Sequence, residues 1–303
     1  MNIVLAAGEA AGIQALRRLT ASGHRLVAVL AAADEDTARG ATVAGVAEQL
    51  GVPLWPDELV RDPALAERLA AESVDLLLNV HSLLLVRAEI LAAPRIGSFN
   101  LHPGPLPEYA GLNAPSWAIT NGERRHAATL HWMEPRIDTG DVAYEDSFPI
   151  EPQDTGLSVS AKCVRHGLPL LDELLAAAAE EPASIPRRPQ DLSRRRLYTR
   201  GEIPYDGGRV DWSLPARRIV DFVRACDYGP FPSPWGRPQT RLGGLELRVL
   251  RATATGEATA EPPGTLGERS DGSVRVAAAD EWVAVERVEV DGASRHAAEA
   301  LDV

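Results

Sequence analysis

Residues 1–19 read MNIVLAAGEAAGIQALRRL. Asn2 to Ala6 form a short apolar run closed by Gly8, and apolar positions from Ala11 to Leu19 then recur every three or four residues. That spacing predicts strand, tight turn and helix. The same alternation continues outward: a strand at Leu26–Leu30, a loop from Ala31 to Gly40, a helix around Ala41–Gln49 ended by Gly51, a strand near Pro53–Trp55, a helix over Pro63–Ala71 and a strand at Asp75–Asn79. Strands alternating with helices predict parallel βαβ units with right-handed crossovers, and near-continuous apolar strands predict cover on both faces. The expected fold class is α/β, a doubly wound, mostly parallel Rossmann-like sheet. The GEAAG turn is not a dinucleotide fingerprint, for it lacks the three-glycine spacing.

The pattern changes after Phe99. Residues 99–115, FNLHPGPLPEYAGLNAP, hold four prolines and cannot form an ordinary helix or central strand. A helix-like segment at Ser116–Asn121, a strand at Ala128–Met133 and a turn at Asp138–Asp141 follow. An amphipathic helix with Leu157, Ala161, Val164, Leu168, Leu171 and Leu175 on one face closes the first half. The stretch from Glu180 to Gly208 is rich in Pro and Arg and reads as an exposed connector. Beyond it, a helix at Pro215–Ala225 and short strands at Glu246–Arg251, Ser273–Val276 and Trp282–Val290 predict a small, mostly antiparallel, β-barrel-like (OB-like) domain. The expected division is residues 1–195 for the first domain, 196–208 for a linker and 209–303 for the second.

The chain of 303 residues is 45% hydrophobic and carries 31 Lys+Arg against 43 Asp+Glu, a formal charge of -12. Such a charge argues against a protein that depends on neutralising phosphates of nucleic acid. No apolar run is long enough for a membrane helix, the first residues lack the basic start of a secretory signal, and a cytoplasmic protein without membrane contact is expected. Cys163 and Cys226 cannot make a disulfide framework or a four-cysteine zinc site, and no metal is expected. Both fall on or beside apolar helices and read as packing.

Asn100, His102 and Asp138 are the residues best placed for chemistry. Asn100 and His102 lie two apart in an extended segment, so they share a face, just past a buried strand at the sheet edge where open α/β folds bind ligands. An amide donor beside an imidazole suits oxyanion stabilisation with proton movement, and a carboxylate orients the ring or accepts a proton. On spacing alone, turn-capping roles fit the three residues as well.

The text around them resembles the folate-dependent formyltransferases, a family that includes the methionyl-tRNA, sugar and nonribosomal-peptide types and a formyltetrahydrofolate hydrolase. The resemblance rests on Asn100-x-His102, Leu106-Pro-x-Tyr109-x-Gly111, Trp117-Ala-Ile-x-x-Gly122-Glu123, Thr129-x-His131-x-Met133 and Asp138-x-Gly140, in order and at similar gaps, and on GRVDWSLPARRIVDFVRACD at residues 208–227. It implies a catalytic trio of Asn100, His102 and Asp138, 10-formyltetrahydrofolate as co-substrate, and a primary amine as acceptor. It also implies that the folate is held by backbone groups of Leu83, Leu84, Leu85, Val86 and Arg87 and of Pro135, Arg136, Ile137 and Asp138. In the implied reaction Asn100 and a protonated His102 stabilise the oxyanion, while Asp138 orients the ring and takes the amine proton. Tyr109, Gly111 and Asn113 are expected at the acceptor site.

The chain departs from the family at Ala110, Leu112 and Asn113, where many members carry arginine around the glycine. Its loop at residues 31–45 is acidic where the tRNA-formylating members are basic, which argues against tRNA as acceptor. GPLPEYAGLNAPSWAI, SVSAKC and DYGPFPSPWG resemble the formylation domains of carrier-protein assembly lines. A small amine of specialised metabolism, free or carrier-bound, is therefore expected, ahead of an amino-sugar nucleotide, a hydrolytic activity and, last, tRNA. His81 reads equally as a pocket residue or a structural histidine, His131 as structural, and the run from Arg188 to Arg200 as a solvated linker.

Overall fold

The computed structural model describes residues 1–32 and 40–301, so Asp34, Glu35 and Asp36, the acidic residues of the stretch noted at 31–45, lie outside the described residues. The chain divides into two compact units. One comprises Met1–Gly111, Ala127–Phe148 and Lys162–Leu197, the other Leu112–His126, Pro149–Ala161 and the chain from Tyr198 onward.

The first unit is built on seven strands: β1 (Asn2–Ala7), β2 (Arg25–Ala31), β3 (Leu54–Pro56), β4 (Leu76–Val80), β5 (Gly97–His102), β6 (Arg125–Trp132) and β7 (Val142–Pro149). Their order is β3-β2-β1-β4-β5-β6-β7. The first five run parallel and β6 runs antiparallel to β5. The helices are α1 (Glu9–Ala21), α2 (Val43–Leu50), α3 (Ala64–Ala71), α4 (Ala88–Leu91), α5 (Ala114–Thr120), which clusters with the second unit, and α6 (Gly156–Glu180). The Thr42 hydroxyl caps α2 by accepting from Gly45 N–H, and Gly51 ends it in the left-handed conformation.

Alternation along the strands decides which face each residue serves. Ile3, Leu5, Leu76, Leu78, Phe99, Leu101, Leu130 and Trp132 enter one core with α1, α2 and α6. Val4, Ala6 and Leu77 point the other way, onto Leu65 and Leu69 of α3 and Ile90 of α4. The same rule puts Asn79, Asn100, His102, Thr129 and His131 on this second face.

Two strands exceed the expectation. β5 runs through Asn100 to His102, because the prolines begin only at Pro103. β7 carries Glu145, Asp146 and Ser147 in its middle, and such a polar strand leaves little apolar signal to read. The Pro- and Arg-rich stretch is also more than a connector. Its side chains are mostly exposed, yet Arg188 exchanges backbone bonds with Val142, Pro186 O accepts from Trp132 Nε1 at 2.9 Å, and Arg196 O accepts from Ala110 N. It is laid along the first unit as a strap.

The second unit is an antiparallel sheet of β8 (Gln239–Leu242), β9 (Leu245–Ala258), β10 (Leu266–Ser270), β11 (Ser273–Ala277), β12 (Glu281–Val290) and β13 (Ala293–His296). The order is β8-β9-β12-β11-β10, with β13 paired to β12. Helix α7 (Ala216–Ala225) places Ala216, Ile219 and Val223 in the core formed with Val249, Val283 and Val285. Among the described residues no helix is long and apolar enough to cross a membrane.

At the β1–α1 turn, Gly8 N–H bonds Val80 O at 3.1 Å, and a Cβ at Gly8 would stand 2.5 Å from His81 O. A backbone oxygen at the end of a central strand cannot retreat cheaply. Gly8→Ala is expected to cost about 1–3 kcal/mol in denaturant unfolding through the clash, whereas Gly23→Ala, with open space around it, is expected to cost about 1–2 kcal/mol through its positive φ alone.

Candidate active site

The sheet order reverses between β1 and β4, which opens a crevice at the carboxyl ends of the strands. There Asn79 of β4, Asn100 of β5 and His131 of β6 are register partners on three neighbouring strands and form one polar row. Asn79 Nδ2 donates to Ser82 O at 3.2 Å and to Asn100 Oδ1 at 2.9 Å. A backbone carbonyl only accepts, so Ser82 O fixes the Asn79 amide, and Asn79 fixes Asn100 with Oδ1 toward it. Asn100 Nδ2 is thereby turned to His131 Nε2 at 3.0 Å. From the other end, His131 Nδ1 donates to Trp132 O at 2.7 Å, which leaves Nε2 as the acceptor. Two carbonyls thus assign two amide orientations and one tautomer. The second hydrogen on Asn100 Nδ2 has only a long contact, 3.5 Å, to Asp138 Oδ1, and is available to a ligand oxygen.

Asp138 reaches the row from the loop between β6 and β7, in the left-handed region at φ 51°. Gly111 N–H donates to its Oδ2 at 2.7 Å, with His131 Nε2 3.4 Å from Oδ1 and His102 Nδ1 3.6 Å from Oδ2. The strap holds the loop from behind. Gln190 Nε2 donates to Asp138 O at 3.1 Å and to Gly140 O at 2.6 Å, and an Arg195 Nη donates to Ile137 O at 2.7 Å. Gly140 is obligatory, since a Cβ there would meet Trp132 O at 1.9 Å.

His102 is buried, and its Nε2 donates to Tyr109 O at 2.7 Å. Burial pushes its pKa below the ordinary imidazole value, with Asp138 offsetting part of the effect. For Asp138, burial opposes ionisation, but the His102 and His131 rings and the Gly111 N–H outweigh it and hold the carboxyl well below the usual carboxylate range. That depression owes most to the charge the His102 ring can carry and to His131, and the Gly111 N–H adds the smallest share. The resting pair is a carboxylate beside a neutral imidazole whose open nitrogen, Nδ1, faces it.

Of the other residues expected here, Leu84 and Val86 pack into the second-face core. Leu83 and Leu85 are 58% and 62% exposed, and Ile137 on the Asp138 loop is 38% exposed. Large apolar side chains held open beside a polar row fit a flat aromatic ligand better than they fit core packing. Arg87 pairs with Glu89, and Pro135 and Arg136 are exposed. Tyr109 is buried and supplies its carbonyl, Gly111 its N–H; Asn113, at φ 59°, starts α5 in the second unit. His81 joins Glu9 at 3.2 Å and not the row. His131, read as structural, touches both Asn100 and Asp138. Asn79, Gln190 and Arg195 were not singled out; the one signal for Asn79 is a lone amide in the strand LLLNV. Burial raises the thiols of Cys163 and Cys226, the latter to about 12, so neither is a nucleophile.

The formyl transferase family model matches residues 1–171, and the formyl transferase C-terminal domain matches residues 202–301. Methionyl-tRNA formyltransferase of Roseiflexus sp. (strain RS-1) is 32% identical over 282 residues, 90% of this chain and 83% of that protein. The corresponding protein of Anaeromyxobacter dehalogenans (strain 2CP-1 / ATCC BAA-258) is 31% identical over all of this chain and 96% of its own. Among solved structures, the N-formyltransferase from Helicobacter canadensis, in complex with folinic acid and dTDP-3-aminofucose, has a TM-score of 0.71 at 17% identity, over 93% of this chain and 98% of that one. HypX from Aquifex aeolicus, in complex with tetrahydrofolic acid, has a TM-score of 0.63 at 19% identity, over 99% of this chain and 46% of that one.

Nitrogen-15 spectra of the ligand-free protein at pH 7.5 should show His131 with a protonated Nδ1 and a bare Nε2. Asn79→Asp, which removes the donor and repels Asn100 Oδ1, should turn the Asn100 amide over and break its bond to His131 Nε2, seen as a shift of the Nε2 resonance. Retention of the wild-type pattern in that variant would show that Asn79 does not set the row.

Proposed function

We propose, from the premise that this chain belongs to the folate-dependent formyl transferase family, that it moves a formyl group to the primary amine of a small molecule, free or carried on a protein. Formyltetrahydrofolate is the co-substrate. The observation that carries the reading is the open Asn100 Nδ2 hydrogen beside a neutral His102 and an ionised Asp138. The Asn79-to-Ser82 bond supports a coupling of the exposed leucine loop to Asn100, so the residues that would hold the pterin and the amide that would meet the formyl oxygen are one unit.

When bound, the folate supplies the formyl group on N10. Asn100 donates to the formyl oxygen as charge collects there. His102 Nδ1 takes the proton that the attacking amine loses; the ring, then cationic, donates to Tyr109 O on one side and faces Asp138 on the other. Asp138 holds its charge throughout, for a carboxyl with so low a pKa is a poor final proton acceptor. His102 then delivers the proton to N10 as the bond from N10 to the formyl carbon breaks, which regenerates the neutral ring. This assigns the proton to His102 rather than to Asp138, and starts from a neutral ring rather than a protonated one.

Charge supports a small acceptor. Residues 202–301 hold twelve Arg and sixteen Asp or Glu. Many of these arginines are tied to carboxylates, as in Arg217 and Arg224 to Asp221, Arg237 to Asp227, Arg248 to Glu289, Arg251 to Glu286 and Arg275 to Glu257. Such a surface offers little for the counterion release that drives tRNA binding.

The test is incubation with 10-formyltetrahydrofolate and, separately, amino acids and their carrier-bound thioesters, amino-sugar nucleotides and methionyl-tRNA, with tetrahydrofolate and formate followed together. Amine-dependent tetrahydrofolate without formate supports transfer. Formate released without amine points to a hydrolase, and a preference for the tRNA or the sugar nucleotide replaces the acceptor proposed. His102→Ala and Asp138→Ala should stay folded and lose about 100-fold or more in kcat/KM. The acid limb of kcat/KM should fall below about 6.5, the ordinary imidazole value, because His102 must be neutral to accept a proton. Asp138→Asn should move that limb lower still, since the carboxylate is what raises the ring's pKa. A limb above pH 7 in the wild type would contradict a neutral resting His102.

A further inference from the structure

We infer that Arg136 and Arg195 form an anion subsite on the Asp138 loop, which takes a phosphate or carboxylate group carried by the amine acceptor. The inference rests on the formyl-transfer reading for the identity of the ligand, but its geometry stands apart from it.

Arg195 crosses the loop and spends one Nη hydrogen on Ile137 O at 2.7 Å. Its Nε is buried without a hydrogen-bond partner. A charged donor kept buried and unpaired is costly, so the group is held in place by the rest of the loop, and it is the Nη hydrogens not spent on Ile137 O that remain for a ligand. Arg136 is the residue before Ile137. Its side chain is exposed and, among the described residues, makes no hydrogen bond or ion pair. Arg195 thus bonds the carbonyl of the residue that follows Arg136, which puts both arginines on one loop, and burial first and then the Arg136 charge lower the proton affinity of Arg195.

This arrangement is unusual for the chain. Asp and Glu outnumber Lys and Arg by twelve, and arginines elsewhere, such as Arg18, Arg87 and Arg194, have carboxylates to meet. Near Arg136 and Arg195 the carboxylate is Asp138, and its oxygens are already engaged by Gly111 N–H and the two histidines. The planar fork of an arginine matches phosphate and carboxylate oxygens, and two arginines on one loop favour a group with more than one charged oxygen. Arg136 is two residues from the carboxylate beside the ring that receives the amine proton, and on that placement the anion is assigned to the molecule bearing the amine, the folate's own carboxylates being the alternative that the test below decides.

Calorimetric titration of the whole protein at low ionic strength with inorganic pyrophosphate, and separately with acetate, tests the inference. Saturable millimolar binding of one or both is expected, and which of them binds more tightly distinguishes a phosphate from a carboxylate ligand. Arg136→Gln, which removes a side chain with no partner, should weaken binding about tenfold. Arg195→Lys, which keeps a charge and a donor for Ile137 O but loses Nε, should do the same. No binding by the wild type, or equal binding by all three proteins, overturns the subsite. If pyrophosphate competes with tetrahydrofolate but not with tetrahydropteroate, which lacks the glutamate, the anion is the folate's own and the assignment to the acceptor is wrong. The two readings fail separately. A protein that binds pyrophosphate through Arg136 and transfers no formyl group retains the subsite and loses the proposed function, whereas transfer without anion binding does the reverse.

Discussion

The site depends on a line of hydrogen bonds pinned at both ends by backbone carbonyls. Ser82 O at one end and Trp132 O at the other can only accept. Between them, Asn79, Asn100 and His131 have one consistent pattern of donors and acceptors. Reversing any member would set two acceptors or two donors face to face in a buried place, where an unmade bond costs about 1–3 kcal/mol. The sheet makes the line possible, because strand register brings the three side chains abreast at about 5 Å intervals. What the row delivers is directional: an amide whose hydrogen, and not its oxygen, is turned toward Asp138.

The second constraint is the way a flexible loop is made to behave as part of the sheet. Asp138, with its left-handed backbone, and Gly140 sit in a turn closed by Thr139 Oγ1 on Arg136 O at 3.0 Å, with Gly140 pressed against Trp132 O. Gln190 and Arg195 reach the turn's carbonyls from outside. Arg187 lies 3.5 Å over the Trp132 ring and Arg194 pairs with Glu108, which extends the same clamp to the Pro-rich segment that supplies Tyr109 O and Gly111 N–H. Each group that touches His102 or Asp138 is therefore braced by a residue that does not.

Much of this was legible in the sequence, and the rest has physical reasons for its silence. The βαβ alternation of residues 1–80 follows from apolar periodicity, and Asn100, His102 and Asp138 stand out by residue type and context. β7 was hidden because a polar edge strand has no run of apolar residues to betray it. His131 carried no mark of its own, since one histidine on a buried strand looks the same whether it pairs with a carboxylate or only with its neighbour's carbonyl. The strap was misread because Pro and Arg are the composition of a loose connector, and nothing in composition tells which carbonyls an arginine or a glutamine will find fifty residues upstream.

That strap places the limit of the working unit somewhere other than the limit of the sheet. The last helix of the first unit ends at Glu180, yet the carboxylate at position 138 owes its placement to residues 190 and 195. A segment cut at the end of the helix would keep all seven strands and lose Ile185 from one core, while releasing the turn that carries its charge. Inheritance of the chemistry, in recombination or in design, has to include this tail, which lies outside the strands and helices of the sheet layer.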